Sequence, residues 1–146
     1  MSYTQRFSEV HQVLAHEPAD SQAVEVNSGF VSLANFHRAV VIISLGDMAA
    51  GGQFVVNVDQ ATDTAGTSSK ALTGKSTTRL TQAAGDGDDL LMIEIKSIEL
   101  DVAGGFDCIN VRINPVDAAA EFALLVLGCV PRFAPVTTTL VTEIVD

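Results

Sequence analysis

RAVVIISLG, residues 38–46, decides how this chain is read. Val40, Val41, Ile42 and Ile43 leave neither alternating face polar. β-Branched side chains are stiff and crowd a helix, but they sit well on a pleated strand. Such a run reads as a central strand covered on both sides. It is too short for a bilayer, which needs about 18–20 consecutive apolar residues. Downstream, residues 53–60 (QFVVNVDQ) alternate, with Phe54, Val56 and Val58 to one face and Asn57 and Asp59 to the other. That period of two marks a half-buried strand.

Further along, residues 61–76 are small, polar and loop-like, and 77–83 form a weaker strand. GDGDD (85–89) is a turn, because Gly and Asp supply the backbone angles of a tight reversal. Residues 90–100 (LLMIEIKSIEL), 106–114 (FDCINVRIN) and 120–130 (AEFALLVLGCV) read as strands, and Thr-rich 136–145 as a closing one. Toward the N-terminus, Val24 and Val26 alternate with Glu25 and Asn27, and residues 30–36 lead into the strand at 38–46. About eight strands with Gly, Pro and Asp turns, no β-α-β alternation and no repeat leave one architecture. It is all-β, an antiparallel β-sandwich of jelly-roll type, with a short N-terminal helix or arm. The predicted core is Val41, Ile43, Phe54, Val56, Val58, Ile93, Ile95, Ile109, Val111, Ile113, Phe122, Leu124 and Val126.

The first residues carry a different pattern. Tyr3, Phe7, Val10 and Leu14 recur at helical spacing, and Pro18 ends any helix they belong to. Residues 4–16 are therefore expected to form an amphipathic helix or arm, too short to hold alone in water. The chain divides into this arm, 1–22, and a β-sandwich, 23–146. The four apolar residues are the candidate contacts with a neighbouring subunit or with the larger particle it is built into. The segment lacks the basic start and apolar stretch of a secretory signal, so a cytoplasmic protein, or one built into a particle there, is expected.

Composition limits the partners. The 146 residues fit one domain, and 47% of them are hydrophobic. Eight basic against 18 acidic side chains give a net charge of −10, which repels phosphate backbones and anionic lipid. No nucleic-acid or membrane partner is expected; Lys70, Lys75 and Arg79 are the only basic cluster. Val40–Ile43 and Leu124–Leu127, apolar on both strand faces, exceed what a two-layer sandwich buries, so a homo-oligomer is expected. The alternative is a third layer made by the N-terminal helix or long loops.

Chemistry is sparse. His11 and His16 stand five apart, about 140° around a helix, and cannot chelate one metal as an i, i+4 pair does. Asp86, Asp88 and Asp89 lack the order of a calcium loop. Cys108 and Cys129 match no zinc spacing and read as buried thiols within strands. There is no G-x-S-x-G elbow and no strand–Gly loop–helix phosphate cradle. No catalytic, cofactor-binding or metal residues are assigned, and the chain is not expected to be an enzyme. The carboxylate pair of a glycosidase stays open as a rival.

Several stretches carry a family likeness. They are residues 34–43 (ANFHRAVVII) entering Gly46-Asp47-Met48, residues 60–67 (QATDTAGT) with Lys70-Ala71, and Leu80-Thr81-Gln82 before the acidic turn. Glu99-Leu100-Asp101-Val102 with Gly104-Gly105-Phe106-Asp107, then Leu127-Gly128 with Pro131-Arg132, complete them. Over residues 28–146 the chain resembles the capsid decoration (head cement or stabilisation) proteins of tailed bacteriophages. The resemblance implies a virion structural protein that binds the outside of an assembled head and bridges capsid subunits. Its implied partner is the major capsid protein, its implied form a homotrimer, and its place the capsid surface after assembly in the host cytoplasm. Alternatives are a tail, neck or head-completion structural protein, or a carbohydrate-binding or -hydrolysing attachment module.

Overall fold

The computed structural model describes residues 6–137 and 139–145. A helical turn, α1 (Phe7–Val10), leads into β1 (His11–Gln22), and two short strands follow, β2 (Val26–Asn27) and β3 (Val31–Ser32). Then come β4 (Phe36–Met48), β5 (Gln53–Ala61), β6 (Lys70–Ser76), β7 (Leu80–Thr81), β8 (Leu90–Lys96), β9 (Cys108–Val116) and β10 (Ala120–Pro131).

Every strand pairing is antiparallel, and the pairings are nested. β1 pairs with β10, β2 and β3 with β9, β4 with β8, and β5 with β6 and β7. The chain is one long hairpin, first strand against last, rolled up so that β4 also meets β10 and β5 also meets β9. Rolling gives two sheets, β1-β10-β4-β8 and β2-β9-β5-β6, with β3 on β9 and β7 on β5. This is a jelly roll, which closes a core between two sheets.

The core lies where alternation put it. Every expected position except Ile93 is buried, and Ile93 is half-buried and packed against the others. The sheets meet through Phe54 of β5 and Phe122 of β10, whose tilted rings stand 5.6 Å apart. Leu33, Phe36, Leu45, Leu72 and Leu100 complete the core from strand ends and loops.

Four local readings change. The helix expected over residues 4–16 stops at Val10, and His11 is already extended (φ −131°, ψ 138°). From there the backbone pairs with β10 from His11↔Cys129 to Gln22↔Ala120. Sheet pairing outweighs helical periodicity, and Pro18 is accommodated because it falls in a register irregularity of an edge strand. The strand expected at 136–145 does not form among its described residues. β1 and β4 occupy both edges of β10, so the outgoing chain finds no strand edge there. Part of the expected loop 61–76 is β6, anchored on β5 by buried Leu72. Finally, β8 ends at Lys96, where a 3-10 turn (Ser97–Glu99) begins whose Glu99 carboxylate accepts the Lys96 N–H at 2.8 Å.

Candidate interaction surface

The two sheets present opposite chemistry to the outside. On β4, Val41 and Ile43 are buried in the core, so Val40 and Ile42 between them face outward. The register aligns Leu125, Ile42 and Met92 in one row across β10, β4 and β8, with Leu127 and Val40 in the next and Ala123 and Leu90 on the other side. Met92 is 59% and Leu90 67% exposed, while Val40, Ile42 and Leu125 are half-buried. The outward face of β1-β10-β4-β8 thus carries an apolar row, Leu125–Ile42–Met92, flanked by Val40, Leu127, Ala123 and Leu90, with exposed His16, Ser44 and Glu94 set among them.

The outward face of the other sheet is hydrogen-bonded and charged. Asn57 lies opposite Arg112 and Asp59 opposite Asn110. The Arg112 guanidinium approaches Asp59 at 3.1 Å and Glu25 at 3.8 Å, and the Asn110 amide donates to Asn27 Oδ1 at 2.9 Å. A shallow depression of about 420 Å³ opens here, lined by Phe30, Asp59, Lys70, Asn110 and Arg112 among others.

Of the candidate contacts, Tyr3 lies outside the described residues. Phe7 is 63% exposed and stacks on His11 with centroids 4.1 Å apart. Val10 is half-buried, and Leu14, now on β1, packs against the chain's own core. The structure keeps Phe7 and Val10 together on α1 and turns Leu14 away from them. Phe7 borders a cavity of about 530 Å³ between α1, β1 and the tail residues Val141, Ile144 and Val145.

The titratable groups serve the fold. Burial first, then the hydrogen bond to Asp107, pushes the Cys108 thiol up to about 12, and burial also raises Cys129. The two thiols belong to different sheets and are not joined. Asp101 is held below the usual carboxylate range chiefly by the Lys70 ammonium at 2.6 Å and also by the Gly104 N–H. Glu99 is lowered by the Lys96 N–H and then by Lys75, and Asp63 by hydrogen bonds from Thr67. Asp86 accepts the Thr81 N–H at 2.8 Å, a turn-closing role. Among the described residues, no three His, Cys, Asp or Glu side chains are grouped to hold a metal, and no helix is long and apolar enough to cross a membrane.

Sequence reading found the β4 and β10 parts of the apolar face. It missed Leu90 and Met92, although their alternation with Leu91, Ile93 and Ile95 signalled a strand apolar on both sides.

No protein-family model matches the sequence, and no curated protein is similar to it. Among solved structures the chain is similar to a chain of broad bean stain virus, at 10% identity and TM-score 0.43, covering 98% of each. It is also similar to a chain of the naturally occurring empty particles of cowpea mosaic virus, at 10% identity and TM-score 0.47, covering 99% of this chain and 96% of that one. For Desmodium yellow mottle tymovirus the values are 10%, 0.43, 86% and 89%. By its own strand pairing, the chain is a jelly-roll β-sandwich.

Proposed function

We propose that this protein is a non-enzymatic structural subunit of a virus particle, which binds the outside of an assembled phage head and stabilises it by bridging capsid subunits. The observation that carries the reading is the contrast between the two outward faces. A monomer in water has no use for exposed apolar side chains aligned across a sheet face, and such a patch marks a surface meant to be covered. The opposite face, with its Arg112–Asp59 pairing, suits solvent. A subunit with one face to bury and one to wet fits a shell coat. The net charge of −10 keeps it off nucleic acid.

In this reading the major capsid protein is the partner. Phe7 and Val10 of α1 reach toward it, and the family likeness implies a homotrimer. Assembly takes place in the host cytoplasm and the finished subunit sits on the capsid surface. Cryo-electron microscopy of purified particles tests this. Density for the chain at regular positions on the outer head surface is the expected result. Density confined to a neck or tail ring, or to fibres that touch carbohydrate, overturns it.

A further inference from the structure

The charges around the apolar face are arranged as if for a copy of itself. At one end of the face, Arg38 of β4 lies directly opposite Lys96 of β8. Like charges directly opposite across a strand pair are destabilising; Glu94, opposite Val40 on the same face, offsets one of the two and leaves a net positive charge there. At the other end stands Glu121 of β10, exposed, on the same face as Gly46, where a β-carbon would lie 3.3 Å from the Glu121 Cβ. Among the described residues neither Arg38 nor Glu121 has an ion-pair partner.

The spacing is symmetric. Arg38 precedes Ile42 by four residues, and Glu121 precedes Leu125 by four on the antiparallel neighbour. Ile42 and Leu125 are in register. Basic and acidic ends therefore stand about 13 Å on either side of the Leu125–Ile42–Met92 row. A twofold axis lying across the strands at that row would place apolar row on apolar row. It would also bring each Arg38 over the partner's Gly46–Glu121 corner, where the Glu121 side chain lies against Gly46, its Oε2 3.5 Å from where a β-carbon would stand.

We infer that the outward face of β1-β10-β4-β8 binds a second copy of this chain, face to face about a twofold axis, with Leu125, Ile42 and Met92 at the centre and two reciprocal Arg38–Glu121 pairs at the ends. A face that meets itself is isologous and closes at two copies, so the unit is a dimer and not a trimer. This deepens the reading of the face as covered, but it is tested on purified protein and stands or falls without the head.

Sedimentation of the full chain at low salt is the experiment. The wild type is expected as a dimer. Met92→Asp, at a position exposed enough to be tolerated by the fold, is expected to sediment as a monomer with an unchanged circular dichroism spectrum. Arg38→Glu and Glu121→Arg each set like charges against each other twice, and each should weaken the dimer by tenfold or more. Mixing the two variants restores one swapped and one native pair, so a heterodimer should form with close to wild-type affinity. A monomeric wild type, a trimer, a dimer indifferent to Met92→Asp, or a mixture no tighter than its parts would each overturn the inference.

Discussion

At the scale of single residues, tolerance depends on what a side chain would meet. A β-carbon at Gly128 would lie 2.9 Å from three atoms of the Phe36 ring, which is 2% exposed and has nowhere to go. Gly128→Ala is expected to lower stability by about 1–3 kcal/mol in urea denaturation, the usual range for overpacking a core. Carboxylates set the acid limit. Glu99 and Asp101 have folded pKa values below their ordinary ones, so the folded state favours their charged forms. Their contribution is present in full above the ordinary carboxylate range and is lost as pH falls through the lowered values. The urea midpoint should therefore drop between about pH 5 and pH 3, and Lys70→Met should flatten that drop. Cys108 acts at the other end. A thiol raised to about 12 stays protonated where an unfolded one ionises. Its contribution is complete below the ordinary thiol value and declines as pH rises toward 12. At pH 8 the native chain should react with a thiol reagent far more slowly than the chain in urea.

At the scale of elements, β1 is the most informative strand. Its apolar residues carried a helical period, and that period was real in sequence but not decisive. The segment is short, and the long apolar β10 offers it a ladder of hydrogen bonds. No local pattern could show that, because β10 lies a hundred residues away in the chain. The tail failed as a strand for a similarly non-local reason, with both edges of β10 already taken. Strands whose own residues spoke for them were legible, β5 and β9 by alternation and β4 and β10 by unbroken apolar runs. The division into an arm, 1–22, and a sandwich, 23–146, now depends on whether the sandwich holds without β1. Deleting residues 1–10 is expected to leave the thermal transition nearly unchanged. Deleting 1–22 uncovers β10 and buried Ala15's partners, and is expected to give a lower, broader transition or aggregation through the bared edge. Equal transitions for the two truncations would show the arm to be a separate unit.

For the whole molecule, the polarity of the faces is the property that matters. Half of it was visible in the sequence as apolar residues on both sides of residues 38–46 and 120–130. The row at its centre was not, since it needs the register that sets Leu125, Ile42 and Met92 side by side. The central claim is that this face is covered in the particle, and Met92 reports on it. Its thioether is exposed in the isolated chain, whereas Met48 is buried in the core and serves as an internal control. Brief peroxide treatment followed by peptide mass spectrometry, on the isolated chain held monomeric by dilution and on intact particles, gives the comparison. Met92 is expected to oxidise readily in the monomer and to be strongly protected in the particle, with Met48 protected in both. Equal oxidation of Met92 in monomer and particle would contradict the account.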